Sequence, residues 1–213
     1  MASQSRDERM NLPNKLTLSR FVLTMAFLAV MFTEFRYHVT VALLLFSAAS
    51  LTDYFDGKIA RRDKLITNFG VLMDPLADKI LVCSAFIAFV GLRNEMNEEH
   101  GWIPAWMVVV IVARELAITG LRLLAASKHV VLAAEGYGKH KTISQIVAII
   151  AILVYHSYLD WDGLGTAIFG FSVFGKPWIE WFEPISIWTA VALTIISGTL
   201  YLWRNRQLYL QDL

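Results

Sequence analysis

Four aspartates, Asp53, Asp56, Asp74 and Asp78, stand in the otherwise apolar stretch LTDYFDGKIARRDKLITNFGVLMDPLADKIL, residues 51–81. A carboxylate at the centre of a membrane-spanning helix costs about 2.5–3.5 kcal/mol, so four cost on the order of 10 kcal/mol unless cations, water or hydrogen bonds compensate. Asp53 and Asp56 are three residues apart, and Asp74 and Asp78 four apart, so in helices each pair lies on one face. Two such faces meeting form an all-oxygen cage. Without thiols or paired histidines, that cage suits a hard cation, Mg2+ or Mn2+, which keeps positions open for water and substrate phosphates. The competing reading is a set of helix caps and salt bridges with Arg61, Arg62 and Lys79. Asp74 precedes Pro75, a common helix start with the carboxylate capping and the proline first. It does not extend to Asp53 and Asp56, expected in the C-terminal part of a helix, where the macrodipole disfavours negative charge.

The elements that must hold these carboxylates are apolar. The 213 residues are 56% hydrophobic and 17% charged, with a mean hydropathy of +0.52. Apolar runs of about 18–23 residues recur, long enough to cross a bilayer as helices. The expected fold is all-α and polytopic, with six transmembrane helices at about 16–35, 39–60, 70–92, 103–124, 142–159 and 185–202. Residues 1–10 are expected to be a mobile charged tail and residues 11–213 a single six-helix domain; the first fifteen residues lack the apolar core of a secretory signal peptide. Residues 160–183 are rich in glycine and aromatics and follow neither period, and Trp161, Trp178, Trp181 and Phe182 read as interfacial anchors. A formal net charge of +1 points to no nucleic-acid partner. The single cysteine, Cys83, excludes an intramolecular disulfide and a thiolate metal cluster.

Lysine and arginine concentrate in the N-terminal region, in the loops after the second and fourth spans, and at the C-terminus. The other three loops carry only Arg36, Arg93 and Lys176, among acidic residues such as Glu95, Glu98 and Asp160. By the positive-inside rule both termini and the aspartates face the cytoplasm, which places the protein in the inner, cytoplasmic membrane with a cytoplasmic active site. Arg114, Glu115 and Arg122 fall inside the fourth span, where charges are by default functional candidates. At the start of the first span, Asn14 and Thr17 suit helix caps and Arg20 a side chain snorkelling to the interface.

The spacing carries more information than the carboxylates alone. It reads Asp53-x-x-Asp56-Gly57-x-x-Ala60-Arg61, eight residues, then Gly70-x-x-x-Asp74-x-x-x-Asp78. At all eight positions this resembles the signature of the CDP-alcohol phosphotransferases, membrane enzymes that transfer a phosphatidyl or similar group from a CDP-linked donor to an alcohol and release CMP. The resemblance implies that Asp53, Asp56, Asp74 and Asp78 bind the metal, with Asp78 also the proposed general base. It implies that Gly57, Ala60, Arg61 and Gly70 line the nucleotide site, although Gly57, Ala60 and Gly70 also suit close helix packing. The N-x-x-T-x-x-R entry and the segments VARELAITGLRLLAASK and GYGKHKTISQ resemble the phosphatidylglycerophosphate synthase branch, so that the likeness covers roughly residues 11–150. That branch joins CDP-diacylglycerol to glycerol 3-phosphate, and its entry motif implies Asn14 and Thr17 near the nucleotide. The family implies a homodimer. A phosphorylated acceptor needs fixed cationic donors, and Arg114, Arg122, Lys139 and Lys141 are the candidates. Alternatives are transfer to an inositol phosphate or serine, or, outside the class, a cation transporter, which has no need of Gly57, Ala60 and Arg61 at those offsets.

A carboxylate cage of this kind predicts metal dependence. Chelation abolishes CMP release and Mg2+ or Mn2+ restores it; full activity in excess chelator, after tightly bound metal is stripped, removes the cage from the mechanism.

Overall fold

A computed structural model describes residues 12–63, 68–92, 101–128 and 137–210, with side chains over 18–52, 79–92, 101–128 and 140–209. The chain is mostly helical, in the order α1 (Leu12–Met31), α2 (His38–Asp63), α3 (Asn68–Gly91), α4 (Ala105–Ser127) and α5 (Tyr137–Ser157). A 3-10 turn (Tyr158–Trp161), α6 (Asp162–Phe169), a hairpin of β1 (Ser172–Val173) and β2 (Lys176–Pro177), α7 (Trp178–Arg204) and α8 (Gln207–Leu210) follow. The first helix packs on α2 and α3, while α5 lies against α2 and α7, and α4 joins α3 and α7. Phe27, Phe46, Phe86, Phe89, Ile149 and Ile152 are fully buried at the centre.

Apolar side chains also cover the outside. On α4, Val109, Leu116 and Leu123 recur every seven residues and are more than 60% exposed, whereas Glu115 on the opposite side is buried. Such a distribution suits hydrocarbon around the bundle, since in water it would be an aggregation surface. His140–Phe169 and Trp178–Arg204 are long and apolar enough to cross a membrane; Leu18–Met31, His38–Thr52 and Lys79–Gly91 are shorter apolar helical segments. Of the six expected spans, two thus meet the full length and composition requirement among the described residues.

Several expectations need correction. The last span begins at Trp178, not near residue 185, because α7 runs through Pro184. Proline deprives the Glu180 carbonyl of its helical partner but does not stop the helix this close to its start. Residues 160–183, which follow neither period in the sequence, hold the end of the 3-10 turn, α6, a two-stranded hairpin and the start of α7, and the hairpin is a small departure from an all-α fold. Phe174 and Gly175 at its tip have φ of 51° and 81°, the left-handed pair that matches the twist of two paired strands. The tryptophans of this region spend their indole N–H groups within the protein. Trp161 donates to Thr40 Oγ1 (2.7 Å), Trp178 to the Ile168 carbonyl (2.9 Å) and Trp181 to the Val173 carbonyl (3.1 Å). Arg20 does not snorkel; it is 2% exposed within the bundle. Asp74 does not cap a helix either, since α3 starts at Asn68 and continues past Pro75.

The turn into α6 depends on a close backbone approach. A Cβ on Gly165 would lie 1.7 Å from the Tyr158 carbonyl oxygen. Gly165→Ala is expected to cost about 1–3 kcal/mol through forced backbone movement, read as a lower thermal midpoint of the purified protein, while Gly163→Ala, which meets nothing within 4 Å, leaves the midpoint unchanged.

Candidate active site

The aspartates divide between two helices in mutual contact, Asp53 and Asp56 on α2 and Asp74 and Asp78 on α3. Both backbones are helical across the motif, so the spacings of three and four keep each pair on one face. The side chains of these four residues, and those of Gly57, Ala60, Arg61 and Gly70, lie outside the described residues, as do those of Asn14 and Thr17 on α1 and Lys139 on α5. Among the residues with described side chains, no group of three or more acidic, histidine or cysteine side chains is placed to hold a metal.

The residue after Asp78 ties this region to the next helix. Lys79 Nζ donates to Thr119 Oγ1 on α4, and Thr119 in turn donates to the Glu115 carbonyl (2.7 Å). One turn away lies a buried polar cluster. Glu115 is 5% exposed, and its carboxylate Oε1 accepts from Lys141 Nζ on α5 and lies 3.4 Å from Arg114 Nη1. Lys141 is also 5% exposed and lies inside α5, which starts at Tyr137 rather than near residue 142. Arg114 Nη2 donates to Ser197 Oγ on α7 (3.4 Å), and Gln145 Nε2 on α5 donates to Thr194 Oγ1 on α7 (3.1 Å). Arg122, two turns below Arg114, donates from Nε to the Tyr201 hydroxyl (3.4 Å) with its guanidinium carbon 6.0 Å from the ring centroid.

The structure therefore brings Arg114, Arg122 and Lys141 to one seam among α4, α5 and α7. It places Glu115, already a candidate by its charge inside a span, between Arg114 and Lys141, and adds residues that the sequence reading did not single out: Gln145, Thr194, Ser197 and Tyr201. Their signal was faint, a few hydroxyls and one amide in apolar helices, and a hydroxyl in a helix is cheap because it can bond its own preceding turn. Beside Arg114 an open cleft of about 290 Å³ runs between α4 and α7. Its lining of Ile118, Ile195 and Leu202 suits hydrocarbon more than phosphate.

The helices that carry the paired carboxylates connect through Lys79 and Thr119 to the buried cations of α4 and α5, and comparison with known sequences gives the class of protein. The profile of the CDP-alcohol phosphatidyltransferases matches residues 10–196, and the chain belongs to that family. The CDP-diacylglycerol–glycerol-3-phosphate 3-phosphatidyltransferase of Bacillus subtilis is 38% identical over 208 residues, covering 92% of this chain and 95% of the relative. The enzyme of the same name from Rickettsia typhi is 34% identical over 191 residues, 90% of this chain and 94% of the relative. A probable phosphatidylglycerophosphate synthase of Mycobacterium tuberculosis is 42% identical over 142 residues, 65% of this chain and 64% of the relative.

Glu115 stands between two cations inside the bundle, so removing it leaves buried charge without compensation. Glu115→Ala is expected to destabilise the protein by about 3–5 kcal/mol, measured as a fall in thermal midpoint. The double variant Glu115→Leu with Lys141→Met should recover much of that loss, since an apolar pair of similar size carries no desolvation cost.

Proposed function

We propose that this chain transfers the phosphatidyl group of CDP-diacylglycerol to glycerol 3-phosphate, giving phosphatidylglycerophosphate and CMP. The observation that carries the reading is the internal seam of Arg114, Arg122 and Lys141, joined through Lys79 and Thr119 to the helix that holds Asp74 and Asp78. A transferred phosphatidyl group and a phosphorylated acceptor both bring anionic phosphate into a partly desolvated space, where guanidinium forks are the fitting donors. The names of the relatives agree with this acceptor rather than with serine or an inositol phosphate, and family membership disfavours a cation transporter.

The donor set fits a hard divalent cation, because Asp53, Asp56, Asp74 and Asp78 offer only oxygen and their helical spacing keeps each pair on one face. Held by these four aspartates, such a cation would supply electrostatic stabilisation of the negative charge on the pyrophosphate oxygens and departing CMP. Gly57, Ala60 and Gly70 leave room for the nucleotide against backbone, Arg61 pairs with a phosphate, and Asn14 and Thr17 border the nucleotide from α1. The acceptor hydroxyl oxygen forms the new bond to the phosphatidyl phosphorus as the bond from that phosphorus to the CMP oxygen breaks. Asp78 takes the hydroxyl proton. A free aspartate titrates near about 3.9, so that proton moves late, as a loose transition state permits. Arg114, Arg122, Lys139 and Lys141 hold the acceptor phosphate. The membrane arrangement is six spans with both termini and the site on the cytoplasmic side of the inner membrane, assembled as a homodimer in keeping with the family.

The test is CMP release from CDP-diacylglycerol with glycerol 3-phosphate, serine, inositol phosphate and no acceptor. Glycerol 3-phosphate alone should support rapid release. Arg114→Ala, Arg122→Ala and Lys139→Ala should each reduce kcat/KM for it at least about tenfold, the loss of one or more charge-assisted hydrogen bonds, with little change in the KM for CDP-diacylglycerol. Unchanged acceptor kinetics in all three remove the acceptor site from this seam.

A further inference from the structure

Arg114 and Arg122 are eight residues apart on α4, a rise of about 12 Å with a difference of about 80° around the axis. Taken from α4 alone they are too far apart to grip one phosphate, because charge-assisted hydrogen bonds of about 2.8 Å on each side require donors close to its oxygens. Their partners are closer together. Arg114 Nη2 bonds Ser197 Oγ and Arg122 Nε bonds the Tyr201 hydroxyl, each at 3.4 Å. Ser197 and Tyr201 are one turn apart on α7, a rise of about 6 Å and about 40° around. The seventh helix thus holds both guanidiniums against one face, at residues one turn apart.

The face that does this is continuous. Thr194, Ser197, Gly198 and Tyr201 follow the i, i+3, i+4, i+7 pattern and all are buried. Gly198 makes room for the arginine itself, since a Cβ there would lie 2.8 Å from Arg114 Cγ. Both arginine contacts are long for hydrogen bonds, which orients the guanidiniums without occupying them fully. Arg114 Nε is buried and makes no hydrogen bond among the described residues. A ligand phosphate can therefore still be bound. Ser197, Gly198 and Tyr201 lie beyond residue 196, where the family match ends.

We propose that Ser197, Gly198 and Tyr201 are positioning residues of the acceptor-phosphate site, setting the distance between Arg114 and Arg122. This rests on the phosphatidyl-transfer reading above. It makes α7 a determinant of acceptor recognition as well as a membrane span, and it defines the ligand chemistry as a phosphate monoester held between two guanidiniums.

The experiment measures steady-state CMP release by wild type, Ser197→Ala, Gly198→Ala, Tyr201→Phe and, as a control on the exposed side of α7, Leu200→Ala. Glycerol 3-phosphate is varied at saturating CDP-diacylglycerol and the reverse, with thermal midpoints taken on each purified protein. Ser197→Ala and Tyr201→Phe, which remove single hydroxyls, are expected to raise the glycerol 3-phosphate KM about three- to tenfold, the range of one hydrogen bond. Gly198→Ala should exceed both, the donor KM should move less than about twofold in all three, and Leu200→Ala should match wild type. Unchanged acceptor KM in the three variants, with wild type using glycerol 3-phosphate, overturns this inference and leaves the functional reading standing. Parallel loss of donor and acceptor kinetics and of thermal midpoint reduces the three to packing residues and overturns it as well. If wild type does not use glycerol 3-phosphate, the functional reading falls first and this inference with it.

Discussion

A carboxylate inside an apolar bundle cannot stay there uncompensated, and the contact between Glu115 and Lys141 meets that constraint for α4 and α5. Both groups lose their hydration, so their attraction must offset a desolvation cost of several kcal/mol per ion. Arg114 Nη1 is a second cation at the same carboxylate. The consequence is geometric. Once Glu115 faces inward, its helix must turn Val109, Leu116 and Leu123 outward, and Arg114 and Ile118 follow toward α7. The rotation of α4 about its own axis, and with it the place of both arginines, follows from one buried ion pair.

The same orientation links the buried cationic seam to the carboxylate helices. Thr119 is one turn beyond Glu115 and meets Lys79, the neighbour of Asp78 in the chain. The proposed acceptor site and the proposed metal-binding helix are therefore connected through side chains rather than through a loop. A phosphoryl transfer that relies on placement and electrostatics needs that rigidity, because no strong covalent assistance comes from the protein.

The opposite end of the bundle is built on aromatic packing. Trp102 stacks on His156 with ring centroids 3.6 Å apart and on Phe89 at 5.6 Å, and Trp161, Phe169 and Trp178 continue a second aromatic run beneath the hairpin. Indole N–H groups tied to the Ile168 and Val173 carbonyls brace the connection from α6 into α7. That bracing lets α7 begin at Trp178 and run unbroken to Arg204, which carries Ser197 and Tyr201 to the level of the two arginines.

The helical, membrane-like character and the helical setting of the two aspartate pairs were legible in the sequence, because long apolar runs and spacings of three and four depend only on local periodicity. Family membership followed from the same local pattern. What the sequence left open was set by long-range packing. Arg20 near the start of α1 reads as an interfacial residue, and only contact with other helices buries it. The last span reads as starting near residue 185, yet α7 begins at Trp178 and Pro184 falls close enough to its start to leave the helix intact. Ser197, Gly198 and Tyr201 are unremarkable in an apolar span, since a hydroxyl or a glycine in a helix says nothing about which neighbour it faces. Their partners are about 80 residues away in the chain, a distance that only the tertiary structure closes, and the physical reason is that the direction of a buried side chain is decided by the charges and volumes packed against it.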